Sequence, residues 1–386
     1  MPICCRLDWQ IFCHLRTKLI RQEIFIFPGC TLNYIDKMDT ITIGGKKIGL
    51  GNPCFVIAEA GVNHNGNVAT AQKLVTSAHL AGADCVKFQT FKAERVVTVA
   101  APKAAYQLKV TDPTESQYAM LRKLELSEAD HRVLIEQCHR ENIIFLSTPY
   151  SIEDAEMLHD LGIPGFKVAS SQLVELPFLA ALARFNKPVI LSTGMATLDE
   201  TREAVATLRA HGNKQIVVLQ CTTNYPSRLA DTNLRAMASI ATSTGTITGY
   251  SDHTEGITAC IASVALGAAM IEKHFTLDRN LPGPDHCCSS EPAELAALVR
   301  AIRDVEIALG DGIKQPTAAE LANLTGMRRS IVAARLIKAG IPVTAADFAF
   351  KRPATGFAPK RLGELLGRKP RADIPADTQV QSEFFA

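Results

Sequence analysis

The chain has 386 residues, 47% of them hydrophobic and 21% charged, with 41 Lys plus Arg against 39 Asp plus Glu. That length holds a large core and more than one domain, while a net charge of +2 supplies no field to hold nucleic acid or an anionic membrane surface. No apolar run approaches the ~20 residues that span a bilayer, so neither nucleic acid nor a membrane is expected as a partner.

Residues 1–37 differ from the rest of the chain: they carry four of the eleven cysteines and the single tryptophan, Trp9. They lack the basic start and long apolar segment of a secretory signal. Met38 opens a stretch that reads as a natural beginning, so residues 1–37 are expected to be a non-native or disordered extension, with a packed helix around 8–21 as the alternative. The cysteines at 54, 85, 138, 221 and 260 stand singly inside expected strands or helices, and no CxxC pair occurs. Reduced, buried thiols and a cytoplasmic location are therefore expected.

From residue 54 onward, short apolar runs alternate with amphipathic ones. Strands are expected at 54–59, 85–91, 143–148, 165–170, 188–194, 215–222, 247–251 and 270–276. Helices are expected near 67–81, at 127–141 behind the N-cap Ser127, after Ser151, and at 292–309 behind Glu291-Pro292. The stretch 92–126, with Pro102 and Pro113, is too long for an ordinary connection and has the length of a functional lid. Eight strand–helix units over 38–309 match the ~250 residues of a TIM (β/α)8 barrel. An open doubly wound sheet fits less well, because the first turn, AEAGVNHNG, places Glu59 where a phosphate loop tolerates no negative charge. Residues 310–325 read as a linker with a helical piece. Residues 326–386 read as a small, mostly-β domain broken by glycine and proline, too small to be comfortable alone.

In a parallel barrel the strand C-termini converge on one site. Here those ends are polar: Glu59, Lys87 with Gln89, Thr148, Lys167 with Ser170, Asn224 with Tyr225, His253 and His274. Alternate strand residues share a face, so Lys87 joins Gln89, Ser251 joins His253, and Glu272 joins His274, whereas Asp252 and Lys273 fall on the opposite face. Lys87 and Lys167 sit among apolar residues. A buried lysine needs an anionic partner, so two of them point to a phosphate, a carboxylate, or both. His253 and His274, on consecutive strands, fit either hydrogen-bonded core groups or two ligands of a divalent metal with open positions. Glu59 could orient a sugar hydroxyl, act as general base, or simply pair with one of the lysines. Asp285 and His286 lie on a loop over the barrel mouth, or in a turn that only leads into the last helix.

The segments FVIAEAGVNHNG, VKFQTF, LSTPY, FKVAS, LSTGMA, CTTNYP, YSDHT, EKHF, GPDH and KRPATGF, in this order from about 48 to 380, resemble the sialic acid synthase family. The resemblance implies a TIM barrel followed by an antifreeze-like (SAF, β-clip) domain. It also implies condensation of phosphoenolpyruvate with N-acetylmannosamine or a related acetamido hexose, such as a 2,4-diacetamido sugar, with release of phosphate. By that resemblance Lys87, Thr148, Lys167, Ser170 and Ser251 hold phosphoenolpyruvate. His253 and His274 bind Mn2+ or Mg2+. Glu59, Gln89, Tyr225 and Asp285 contact the sugar, Glu59 doubling as acid/base. Thr223 stands where several members have asparagine, with Asn224 beside it, and either side chain can supply the phosphate donor. The resemblance further implies a domain-swapped homodimer in which Arg352 binds the acetamido carbonyl in the partner's barrel. An ice- or glycan-binding protein on an inactive barrel would have lost the paired histidines and lysines, and none is lost.

Overall fold

The computed structural model describes residues 40–385, so the expectation for residues 1–37 lies outside the described residues. Two compact units divide after Gly310.

In the first unit eight parallel strands form one sheet: β1 (Phe55–Gly61), β2 (Cys85–Thr90), β3 (Ile144–Pro149), β4 (Phe166–Val168), β5 (Val189–Ser192), β6 (Ile216–Cys221), β7 (Ile247–Asp252) and β8 (Met270–His274). Their spatial order is β3-β2-β1-β8-β7-β6-β5-β4, and the terminal pair, β3 and β4, lie against each other and close the ring. The helices between them are α1 (Val68–Leu80), α2 (Glu128–Glu141), α3 (Ile152–Asp160), α4 (Leu176–Ala183), α5 (Leu198–Ala210), α6 (Ala236–Thr244), α7 (Thr258–Ala265) and α8 (Pro292–Leu309). The eightfold barrel is therefore the observed fold. Ser127 caps α2 by accepting from Asp130 N, and Asp130 closes a capping box. Ser151 caps α3 in the same way through Asp154 N.

Strand alternation divides the interior into layers. The outward residues Val56, Ala58, Val86, Phe88, Phe145, Val189, Leu191, Val218 and Ile271 pack under the helices. The inward residues at the strand starts, among them Phe55, Ile57, Cys85, Leu146, Ile190, Val217, Leu219 and Met270, fill the lower barrel. Below them sits an element that the sequence pattern did not announce, a hairpin of Ile41–Ile43 against Lys46–Ile48. Its Ile41, Ile43 and Ile48 join the same apolar cluster and stopper the ring. Gly44 makes the turn possible: its φ is +55°, and a Cβ there would lie 2.6 Å from Ile144 Cγ1. One step further along each strand, the same inward rows turn polar.

Strand limits shift slightly from expectation. β1 runs on to Gly61 through an irregular register against β2. β4 is short because Ser170–Gln172 already winds into a 3-10 turn. The 92–126 stretch carries three short helical pieces, Ala93–Val96, Gln107–Val110 and Gln117–Arg122.

The second unit contains α9 (Ala318–Met327), β9 (Ser330–Ala333) and β10 (Phe348–Lys351), the two strands pairing antiparallel. Ile331, Val343, Phe348, Phe357, Leu365, Ile374, Val380 and Phe385 make its core. α9 begins inside the stretch expected to be linker. It belongs to this unit, because Thr325 O accepts from Ala354 N and Met327 O from Arg352 Nε.

Candidate active site

The polar layer is built around two buried lysines and two buried carboxylates. Lys87 Nζ lies 2.7 Å from Glu59 Oε2 and 3.7 Å from Glu272 Oε2, and donates to Thr148 Oγ1 at 3.1 Å. Lys167 Nζ lies 3.5 Å from Glu272 Oε1. Ser251 Oγ donates to Glu272 Oε1 at 3.0 Å, and Gln89 Nε2 to Glu59 Oε1 at 3.3 Å. Glu272 thus bridges both lysines. Sequence parity places it on the right face as a neighbour of the two histidines that supports a metal reading, and its bridge between the lysines appears only in the closed barrel.

These environments separate the groups electrically. Burial pushes the Glu59 carboxyl up to about 7, against the pull of Lys87. Burial also acts to raise Glu272, but Lys167 and Lys87 outweigh it and hold that carboxyl below its ordinary value. Lys87 is raised despite burial, because Glu272 and Glu59 favour its charged form. Burial dominates at Lys167 and lowers it. Of the two cations, Lys167 has the weaker local compensation, so it gains most from an incoming anion.

Beside Lys167 three small groups converge. Gly194 N donates to Ser170 Oγ at 3.0 Å. A Cβ on Gly194 would fall 2.0 Å from Thr223 Oγ1 and 2.8 Å from Ser170 Oγ. Thr223 Oγ1 is buried with no hydrogen-bond partner. Asn224, in contrast, is exposed and donates its amide to Pro226 O at 2.8 Å. Of the two residues left open by the sequence, Thr223 is brought into the cluster and Asn224 is not. A recess of about 520 Å3 between α5 and α6 reaches this cluster at Cys221 and Thr223.

Across the cavity the imidazoles of His253 and His274 have ring centroids 5.1 Å apart. His253 Nδ1 donates to Thr222 O at 2.7 Å; burial acts to lower this imidazole, but Cys221 and the Thr222 carbonyl outweigh it and hold it above its ordinary value. His274 Nδ1 is buried, has no hydrogen-bond partner, and lies 4.0 Å from Asp285 Oδ2. Burial and the neighbouring His253 hold His274 well below the ordinary histidine range, so it is neutral. The Tyr225 ring lies 4.1 Å from His253 and 5.6 Å from His274. Burial raises the Asp285 carboxyl to about 6, opposed by His253 and Lys87. Its carbonyl accepts from Ser289 Oγ at 2.6 Å, which fixes the mouth loop. Asp252 and Lys273 pair with each other at 2.8 Å on the helix side of the barrel, away from this cavity. Arg352, in the second unit, is exposed and donates Nε to Met327 O at 3.0 Å.

Residues 74–314 match the NeuB family model and residues 328–386 the SAF domain model. The chain belongs to the NeuB family. It is an enzyme, a phosphoenolpyruvate-dependent carbon–carbon bond-forming transferase. It is 47% identical to the N,N'-diacetyllegionaminic acid synthase of Campylobacter jejuni, over 81% of this chain and 95% of that protein. It is 34% identical to the N-acetylneuraminate-9-phosphate synthase of Mus musculus, over 88% and 94%. Among solved structures, an N-acetylneuraminic acid synthetase from Leptospira borgpetersenii in complex with citrate is similar with a TM-score of 0.66 and 32% identity, covering 74% of this chain and 95% of that one.

Enzymes of the NeuB family generally depend on a metal, and the residues present fit one. Two imidazoles face the cavity, and the buried His274 Nδ1 has no hydrogen-bond partner, so it lacks an acceptor or a cation. No group of three or more potential ligands gathers among the described residues. Two imidazole ligands would leave coordination positions for substrate.

Proposed function

We propose that this enzyme joins phosphoenolpyruvate to the aldehyde of an acetamido hexose, releasing phosphate and giving a nine-carbon 2-keto acid. The observation that carries this reading is the polar layer itself, with two lysines and two hydroxyls at one side of the cavity and two adjacent imidazoles at the other. Lys87, Lys167, Thr148, Ser170, Ser251 and Thr223 hold the phosphate and carboxylate of phosphoenolpyruvate, with charge-assisted hydrogen bonds that dry surroundings strengthen. Gln89, Tyr225 and Asp285 orient the sugar. His253 and His274 would hold Mn2+ or Mg2+, which supplies Lewis-acid polarisation of the aldehyde oxygen.

C3 of phosphoenolpyruvate forms the new bond to the aldehyde carbon. Water then adds to C2, and the C2–O bond to phosphate breaks. The first step needs a proton for the forming sugar hydroxyl, and the second releases one from water. Glu59, with a carboxyl raised to about 7, can give the one and take the other near neutral pH. Identities of 47% and 42% with two N,N'-diacetyllegionaminic acid synthases, against 34% with the neuraminate-9-phosphate synthase, favour an unphosphorylated 2,4-diacetamido sugar. The test is phosphate release from phosphoenolpyruvate with Mn2+ and a panel of N-acetylmannosamine, its 6-phosphate and 2,4-diacetamido hexoses. Release with the diacetamido sugar alone supports the reading, and release with none refutes it.

A homodimer in which each SAF domain covers the partner's barrel completes the proposal. Arg352 is exposed and donates Nε to Met327 O, and its guanidinium would bind the acetamido carbonyl of the sugar. Mixing Arg352→Ala and Lys167→Ala subunits should partly restore activity, because one barrel of each mixed pair is then intact and properly covered. No recovery after demonstrated subunit exchange would mean that each domain serves its own barrel.

A further inference from the structure

The 92–126 stretch delivers to the barrel mouth an aromatic side chain to which the proposed chemistry gives no role. Tyr106 packs on Tyr225 with ring centroids 4.9 Å apart, on a ring that itself lies 4.1 Å from His253. Tyr106 is half-buried; burial raises its phenol, and Asp285 and the Tyr150 hydroxyl act in the same direction. Tyr150 reaches back to the site, donating to Gln89 Oε1 at 3.4 Å.

The stretch that carries Tyr106 is held in shape. The Lys103 ammonium, with its side chain 1% exposed, donates to Thr111 Oγ1 at 2.9 Å and Asp112 O at 2.6 Å, and pairs with Glu115 at 3.0 Å. Gln107 Oε1 accepts from Ala104 N at 2.9 Å and Gln117 Nε2 at 3.3 Å, while its Nε2 donates to Tyr106 OH at 3.4 Å. A buried ammonium with three oxygen partners is costly to uncover. The loop therefore presents Tyr106 in a set position.

We infer that Tyr106 is a specificity-determining residue, its ring packing against the substituents on C4 to C6 of the open-chain sugar. This rests on the proposed function. With the aldehyde carbon near the two histidines, an extended carbon chain gains roughly 1.2 Å of reach per bond, so C4 lies about 4 Å and C6 about 6 Å further out. Tyr225, which packs on His253, packs in turn on Tyr106. An aromatic face takes up the methyl of an acetamido group or of a 6-deoxy sugar, and offers nothing to a phosphate. The second acetamido group of a 2,4-diacetamido hexose is thus read by Tyr106, while the first is left to other contacts.

The experiment compares wild type, Tyr106→Phe and Tyr106→Ala in steady-state kinetics with phosphoenolpyruvate, Mn2+ and two sugars, N-acetylmannosamine and a 2,4-diacetamido-2,4,6-trideoxyhexose. Tyr106→Ala should lower kcat/KM for the diacetamido sugar on the order of 30-fold, the scale of one lost apolar contact in a pocket. It should change kcat/KM for N-acetylmannosamine by no more than about 3-fold and leave the KM for phosphoenolpyruvate unchanged. Tyr106→Phe keeps the ring and should keep the selectivity. Equal losses with both sugars, or a parallel rise in the KM for phosphoenolpyruvate, would show that Tyr106 merely supports the mouth. A wild type inactive with every acetamido sugar refutes the proposed function and this inference together. An active wild type whose selectivity survives Tyr106→Ala refutes this inference alone.

Discussion

Lys273 and Lys87 are both buried lysines on barrel strands, yet strand parity assigns them opposite consequences. Lys273 Nζ pairs with Asp252 at 2.8 Å, with side-chain exposures of 1% and 0%, and also donates to Thr254 O. Asp252 accepts further bonds from Tyr250 OH at 3.0 Å and Thr254 N at 2.9 Å. Replacing Lys273 by methionine strands a buried carboxylate, a loss of about 3–5 kcal/mol for a broken buried pair. At roughly 2–4 °C per kcal/mol for a unit of this size, the melting temperature should fall by roughly 6–20 °C. The deficit depends on pH. Burial acts to raise Asp252, but Lys273 outweighs it and holds the carboxyl below its ordinary value. A depressed carboxyl contributes stability above the unfolded pKa of about 3.9 and loses it as pH falls through the folded value. The gap between wild type and variant should therefore be full at neutral pH and shrink in acid. Asp252→Asn combined with Lys273→Met should recover part of the loss, because no charge is left unpaired. Urea unfolding measures the stability, and kcat on the folded fraction should stay within about 3-fold of wild type. Undiminished stability in Lys273→Met, or a kcat lowered by hundreds of fold, would refute the assignment of this pair to the helix side.

His253→Ala or His274→Ala should abolish turnover with the fold retained by circular dichroism, and a chelator should silence the wild type until Mn2+ is returned; full activity in chelated, metal-free enzyme would make both histidines structural. The kcat/KM for sugar should fall as pH rises above about 7, because Glu59 must start protonated to give its proton to the forming hydroxyl before it takes one from water; Glu59→Gln should be slow and lack that limb, and an unchanged limb would assign it elsewhere. Gly194→Ala would put a methyl 2.0 Å from Thr223 Oγ1, so the KM for phosphoenolpyruvate should rise by about 10-fold or more while that for sugar moves little. An unaltered KM would remove Thr223 and Ser170 from the phosphate end.

Much of this enzyme is written in the period of its strands. Alternation is local, set by two successive side chains pointing to opposite faces. It therefore told from sequence that Glu59, Lys87, Lys167, His253 and His274 face one cavity, and that Asp252 and Lys273 do not. The caps at Ser127 and Ser151 were equally legible, because a cap is satisfied within its own first turn. What sequence left open was every relation across the ring. Glu272 bridges two lysines that come from β2 and β4, and that contact exists only once the strands close. Thr223 joins Ser170 and Gly194 in place of Asn224 because the chain leaving β6 turns one side chain toward Gly194 and the other to solvent. The hairpin beneath the barrel and Tyr106 above it fill spaces that closure creates, and no periodicity in their own segments announces either. Local pattern selects a face, whereas distances between elements far apart in the chain are set by how those faces pack.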